Sequence, residues 1–230
     1  MVNLDSFPTR PDAVCRAYRL VNSKFPPISL FDDVADEQEF EALHELQALT
    51  NPRVLAEAGD LRLVPREEIP FGIPGCSYAV APFTHVNPEG SRFSDGSFGI
   101  LYLADSMDTA IAEVRYHQEA YWSNVPDLQY ERFVFRGLVC EFSEADLIDL
   151  CQLPVTDPIF APGDYTASRV QGNAIKQQQA PGLRYHSVRH AGAYCWGLMT
   201  PRPVRSIIQS AHLEMIWSDG ITAVNEVSQP

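Results

Sequence analysis

The chain is poor in positive charge and lacks any long apolar run. Lys and Arg number 17 against 30 Asp and Glu, a formal net charge of -13. A field of that sign repels nucleic-acid phosphates and anionic lipid surfaces, so no direct binding of DNA or RNA is expected. No stretch reaches the roughly 18 apolar residues of a membrane span, and the opening MVNLDSFPTRPD has neither the basic nor the apolar region of a secretory signal. The expectation is a cytoplasmic protein with no membrane association. Cysteine is scarce: Cys15, Cys76, Cys140, Cys151 and Cys195 are odd in number, widely spaced and never in a Cys-x-x-Cys arrangement. That argues against a disulfide framework and against a zinc site, and predicts reduced, mostly buried thiols with no metal. Repeats, low-complexity tracts and long linkers are also missing.

What is present is ordinary globular composition. With 230 residues, 45% of them hydrophobic, the chain has room for one large domain or for one domain with an elaborated terminus. Asp36 and Glu39 form a capping pair for a helix whose apolar side is Phe40, Leu43, Leu46 and Leu49, and Pro52 ends it near Thr50. From 64 to 90 the chain carries Pro65, Pro70, Pro74, Pro82 and Pro88 with glycines between them, which predicts short strands and turns. Ser94, Asp95 and Gly96 are turn residues, Gly99 to Ala104 is a buried strand, and Ser106 caps the helix that follows. On that helix Ala110, Val114, His117 and Tyr121 fall on one stripe, with Glu113 at its edge, i, i+4 from His117.

Downstream, RFVFRGLVCEF and AYCWGLM predict strands, DLIDLCQL a short helix or edge piece, and DYTASRVQGNAIKQQ a helix with Ala167, Val170 and Ala174 on its apolar side. If LRYHSVR is extended, Tyr185, Ser187 and Arg189 share one face, with His186, Val188 and His190 on the other. HLEMIWSDGITAV predicts a hairpin turning at Ser218, Asp219 and Gly220. Mixed strands with few helices make an α+β domain.

Each chemically suggestive residue has a plain structural reading beside the functional one. Arg92 fits a surface ion pair or an anion clamp; Glu113 fits a solvated helix carboxylate or a catalytic one. Ser187 fits a hydroxyl satisfying backbone groups, and a nucleophilic role would need a base that strand alternation points away from it. Cys195 with His190 is the nearest pairing for a thiol hydrolase, although its apolar setting, AYCWGL, favours core packing.

Taken together, these residues resemble a known family. The run SRFSDGSFGILYLADSMDTAIAE, followed by YHSVRHAGAYCWGL, whose serine lies 74 residues past the glutamate, is similar to the RES family, named for an Arg, a Glu and a Ser dispersed along the chain. Arg92, Tyr102, Glu113 and Ser187 carry the match, and TNPRV (50–54), APFTH (81–85) and DYTAS (164–168) resemble its longer-chain branch, so the likeness spans roughly residues 15 to 225.

The resemblance implies a single α+β domain related to ADP-ribosyltransferase toxins, with mixed and antiparallel strands around an NAD-binding cleft. It implies an N-terminal helical extension at 1–60 packed on a catalytic domain at 61–230. It further implies the toxin of a toxin-antitoxin module that consumes NAD+ as substrate, passes the ADP-ribose to a protein acceptor or releases it by phosphorolysis or hydrolysis, and is held silent by a cognate protein antitoxin. The catalytic residues so implied are Glu113, Arg92 and Ser187. Arg92, Tyr102, Arg53 and Ser187 would hold the dinucleotide. The chemistry of the residues is compatible: a fixed carboxylate stabilises an oxocarbenium-like transition state, and a guanidinium is a natural partner for a diphosphate. His117 is a further candidate for tuning that carboxylate or meeting a phosphate, while His85, Tyr165 and Ser168 have no assigned role. A non-catalytic binding module is the competing class.

Overall fold

The computed structural model describes residues 4–24 and 59–227. The helix expected over 36–49 and Arg53 lie outside the described residues, as does most of the extension expected at 1–60.

Among the described residues eight strands form one mixed sheet: β1 (Val14–Asn22), β2 (Leu101–Ala104), β3 (Glu131–Ser143), β4 (Ile148–Asp149), β5 (Gly182–His186), β6 (Tyr194–Leu198), β7 (Val204–Trp217) and β8 (Ile221–Glu226). Their spatial order is β4-β5-β6-β2-β1-β3-β7-β8. Every neighbouring pair is antiparallel except β4 with β5. The long strands β1 and β3 pair along the whole of β1, from Val14 opposite Ser143 to Asn22 opposite Phe135. By contrast, β1 meets β2 at a single register pair, Tyr18 with Ala104.

Period-two alternation gives the sheet two apolar faces. Leu101 and Leu103 of β2, Leu138, Cys140 and Phe142 of β3 and Leu198 of β6 go to one core. Ile100, Ala104, Phe133, Phe135 and Cys195 go to the other. In β3 the alternation is unbroken, with Phe133 and Phe135 facing one core and Leu138, Cys140 and Phe142 the other, and the register shift opposite Gly137 and Leu138 is a bulge on β7, where Ser210 is the extra residue.

Among the described residues three helices cover these faces: α1 (Cys76–Thr84), α2 (Met107–Trp122) and α3 (Thr166–Gln177). Helix α1 corrects the expectation of strands and turns over 64–90. Its buried Cys76, Ala79, Val80 and Phe83 follow helical spacing and pack on the first core. The prolines do not prevent it, because only Pro82 lies inside the helix, near its end.

Helix α2 starts where expected, with Ser106 Oγ accepting from the Thr109 amide at 3.1 Å. Its buried stripe is shorter than expected: Thr109 and Ala110 are buried, Val114 is half-buried, and His117 and Tyr121 are exposed. Helix α3 is present but turned. Its buried residues are Ser168, Gln171, Gly172 and Ile175, whereas Val170 is 56% exposed.

The last hairpin turns at Ser218–Gly220 as expected, with Asp219 and Gly220 at positive φ. DLIDLCQL becomes the two-residue edge strand β4 followed by a 3-10 turn. All five cysteines are free.

Candidate functional site

A cavity of about 670 Å³ opens beside the β1–β2 junction and the stretch of α2 from Ala110 to Ala120, and it is walled on the other side by the loop at 87–92 and by Tyr165. Arg92, Tyr102 and Glu113 all line it. Ser187 does not, but its hydroxyl reaches the same carboxylate. The structure thus gathers four of the five residues singled out for substrate chemistry; Arg53 is outside the described chain.

Glu113 sits one turn beyond Thr109 on α2 and is half-buried. Ser187 Oγ donates to Glu113 Oε1 at 2.7 Å. The same Oγ accepts the backbone N–H of His190 at 3.0 Å and that of Arg189 at 3.3 Å. A hydroxyl has two lone pairs and one proton, so with both lone pairs engaged its proton is committed to the glutamate. Strand β5 ends at His186, so Ser187 lies in a turn and not in the extended run expected from alternation.

Two buried groups that interact with Glu113, Cys195 and Tyr185, are neutral. Cys195 Sγ lies 3.9 Å from Glu113 Oε1, and burial, reinforced by that carboxylate, pushes the thiol well above its usual range. Tyr185 is buried, and desolvation raises its pKa well above the ordinary value. The Cys195–His190 pairing is not formed, because the His190 ring meets Thr109.

Arg92 is 8% exposed, not a surface residue. Its Nη1 donates to Ala161 O at 3.0 Å and Ile159 O at 3.4 Å, and its guanidinium carbon lies 4.6 Å from the centre of the Tyr165 ring. Among the described residues its hydrogen-bond partners are carbonyls and not carboxylates, so its charge is left available to the cavity. Helix α3 holds the backbone behind it: Ser168 Oγ donates to Arg92 O at 2.6 Å, and Arg169 Nε to Ser91 O at 3.0 Å.

Tyr102 presents its ring to the cavity while its hydroxyl is occupied. That oxygen accepts from the Phe93 amide at 3.0 Å and bonds Ser91 Oγ at 2.8 Å. Burial pushes its pKa up to about 12. The hydroxyl therefore pins the Ser91–Phe93 turn that carries Arg92, and only the ring remains for a ligand. His117 stands at the mouth of the cavity. Desolvation lowers its pKa, Arg189 and Arg92 push the same way, and Glu113 opposes them.

Two cavity residues were not found by sequence reasoning. Arg19 of β1 lines the cavity, donates from Nη1 to Tyr102 O at 3.0 Å and is so desolvated that its pKa falls to about 10. Its signal was a charged residue inside the strand pattern RAYRLVN. Arg169 also lines the cavity, with Nη2 donating to Glu89 O at 2.8 Å, and was hidden in the sequence by the misjudged face of α3. His186 bonds Cys151 O and Ser168 faces the Arg92 backbone, so neither meets the cavity. His85 contacts Thr84 and Ala81 at the end of α1. No group of three or more metal-ligating side chains occurs among the described residues.

Three comparisons bear on this arrangement. The family model of the RES domain matches residues 69–218, a span that takes in Arg92, Tyr102, Glu113 and Ser187. The "Uncharacterized protein y4oC" of Sinorhizobium fredii (strain NBRC 101917 / NGR234) is 28% identical over 207 residues, covering 87% of this chain and 82% of its own. Among solved structures, the M. tuberculosis MbcT-MbcA toxin-antitoxin complex aligns over 54% of this chain and 73% of that chain, at 14% identity and a TM-score of 0.38, which is too loose a likeness to support an argument.

Proposed function

The chain belongs to the RES domain family, and from that premise we propose that it is an NAD+-consuming enzyme, the toxin of a toxin-antitoxin module, which cleaves the nicotinamide–ribose bond and transfers ADP-ribose to a protein acceptor. The observation that carries the reading is that Arg92 and Glu113 share one cavity, with the proton of Ser187 committed to the Glu113 carboxylate.

In this reading Glu113 stabilises the positive charge that develops at the anomeric carbon and accepts a ribose hydroxyl proton as a hydrogen bond. The bond from that carbon to the nicotinamide nitrogen breaks with its electron pair leaving on nicotinamide, and the acceptor's lone pair forms the new bond. The guanidinium groups of Arg92 and Arg19 meet the diphosphate, and the Tyr102 ring offers a face for stacking. Ser187 orients the carboxylate and is not a nucleophile, since its oxygen has no lone pair to spare.

Phosphorolysis or hydrolysis is the second reading. The favouring observation is the excess of cation at the cavity, where Arg19, Arg92 and Arg169 all contribute to the lining, a setting suited to an anionic acceptor such as inorganic phosphate. Either activity needs restraint in the cell, so the proposal includes a cognate protein antitoxin covering the cavity and supplying the DNA-binding function that an acidic chain lacks. It also puts the protein in the cytoplasm, where its substrate is; no helix among the described residues is long and apolar enough to cross a membrane.

The test is incubation of the protein with labelled NAD+, with and without phosphate and cell extract. Transfer of label to a polypeptide supports the first reading, and phosphate-dependent label in small molecules supports the second. Glu113→Gln should lower kcat by at least about 100-fold with the fold intact. Wild-type chain that leaves NAD+ untouched under every condition returns the protein to the class of non-catalytic binding modules.

A further inference from the structure

The Ser187 turn is tied to α2 at two places, and only one of them is the contact with Glu113. His190 Nδ1 lies 2.8 Å from Thr109 Oγ1. Thr109 is fully buried and donates its own proton to Asp105 Oδ1 at 2.7 Å. Asp105 is held in turn, its Oδ2 accepting from the Tyr194 amide at 2.9 Å. With the threonine proton given to a carboxylate, the imidazole must be the donor across the His190–Thr109 contact, which sets the tautomer with hydrogen on Nδ1.

Thr109 and Glu113 are i, i+4 on α2 and therefore stack on one face of the helix. Ser187 and His190 are the two ends of one turn, whose closure is completed by Ser187 N to Ala193 O at 2.9 Å and by the His190 amide on Ser187 Oγ. The four residues form a closed ring: helix from Thr109 to Glu113, hydrogen bond to Ser187, turn to His190, hydrogen bond back to Thr109. A single contact would leave the turn free to swing about it, carrying the hydroxyl along; a second, one helical turn away, removes that freedom.

We infer that Thr109 and His190 are positioning residues, a latch that fixes the Ser187 hydroxyl on the Glu113 carboxylate. Neither touches substrate, and His190 acts through the hydrogen bond it gives and not as an acid or base. The inference rests on the proposed NAD+ reading for its kinetic consequence, and on the geometry alone for its structural one.

The experiment compares the full chain with His190→Ala, His190→Asn and Thr109→Val. Asparagine places an amide N–H where imidazole has Nδ1–H but cannot titrate, so it separates a latch from a base. Expected are a kcat for NAD+ consumption about tenfold lower in His190→Ala and Thr109→Val with KM within about twofold, near wild-type turnover in His190→Asn, and a double variant no worse than either single one. Amide hydrogen exchange at Arg189 and His190 is read on the same proteins. It should quicken in His190→Ala and Thr109→Val and stay protected in His190→Asn. Because His190 is exposed, its variants should fold even if Thr109→Val does not. Unchanged exchange in His190→Ala overturns the latch, whatever the activity. Loss of turnover in His190→Asn equal to that in His190→Ala overturns it in favour of acid-base chemistry. If the wild type consumes no NAD+, the functional reading fails, while the exchange result still decides the latch.

Discussion

Tyr102 shows how one side chain can serve both a cavity and the fold behind it. Its hydroxyl bonds the Phe93 amide and Ser91 while its ring lines the cavity. Tyr102→Phe should therefore cost about 1–2 kcal/mol in urea unfolding, leaving a buried amide without its acceptor, and should spare turnover far more than Tyr102→Ala does. The hydroxyl's pKa is raised from 10.0 to about 12 in the folded chain. A raised value means that its contribution to stability is complete below pH 10 and fades as pH climbs toward 12, so the alkaline loss of stability should be shallower in Tyr102→Phe. At this scale the sequence was informative wherever residue type and interval together implied chemistry, as with Arg92 and Glu113. It was silent on Arg19, because a cation in a strand looks like an outward-facing residue until the neighbouring strand is placed. It was silent too on the latch, which needs a turn and a helix 81 residues apart in the chain to meet.

Helix α3 was legible as a helix but not in its orientation. Counting apolar residues favoured Ala167, Val170 and Ala174, yet the buried line runs through Ser168, Gln171, Gly172 and Ile175. The reason is a backbone contact: a Cβ on Gly172 would lie 1.8 Å from Phe93 O, so only glycine lets the helix press against the turn bearing Arg92. Gly172→Ala should destabilise by about 1–3 kcal/mol and, under the proposed function, weaken NAD+ binding by displacing Arg92, whereas Val170→Ser should leave both nearly unchanged; thermal melts and a binding titration check the pair. Helix α1 teaches the complementary lesson. Its 76, 79, 80, 83 spacing was visible, but the number of nearby prolines outweighed it, although all but one of them fall outside the helix.

For the whole molecule, strands β2, β3 and β6 and the β7–β8 hairpin were readable from the sequence, while β1 was not anticipated and strand order was not readable, since β1 reaches its inner place only through pairing with β3 far along the chain. The segment before β1 is fastened by charge. Arg10 Nη2 meets Glu144 Oε2 at 2.9 Å, and Trp196 Nε1 donates to Glu144 Oε1 at 2.7 Å. Desolvation alone would raise the Glu144 pKa, but Arg10 and Trp196 overrule it and hold the value below its ordinary 4.5. A depressed value means stability present above about pH 4.5 and lost as pH falls through the folded pKa. The Tm of wild type should accordingly drop in acid. Glu144→Gln should start about 1–3 kcal/mol less stable at neutral pH and show a flatter acid limb, as measured by calorimetry across pH.

The sheet has one weak suture. Four strands on one side and four on the other are joined across β1 and β2 by the lone Tyr18–Ala104 rung, with the Arg19 guanidinium bridging to the Tyr102 carbonyl beside it. The pocket lies over that suture and draws its walls from both halves. A dinucleotide lodged there would span the join like a staple, reinforcing the sheet where its strand pairing is thinnest.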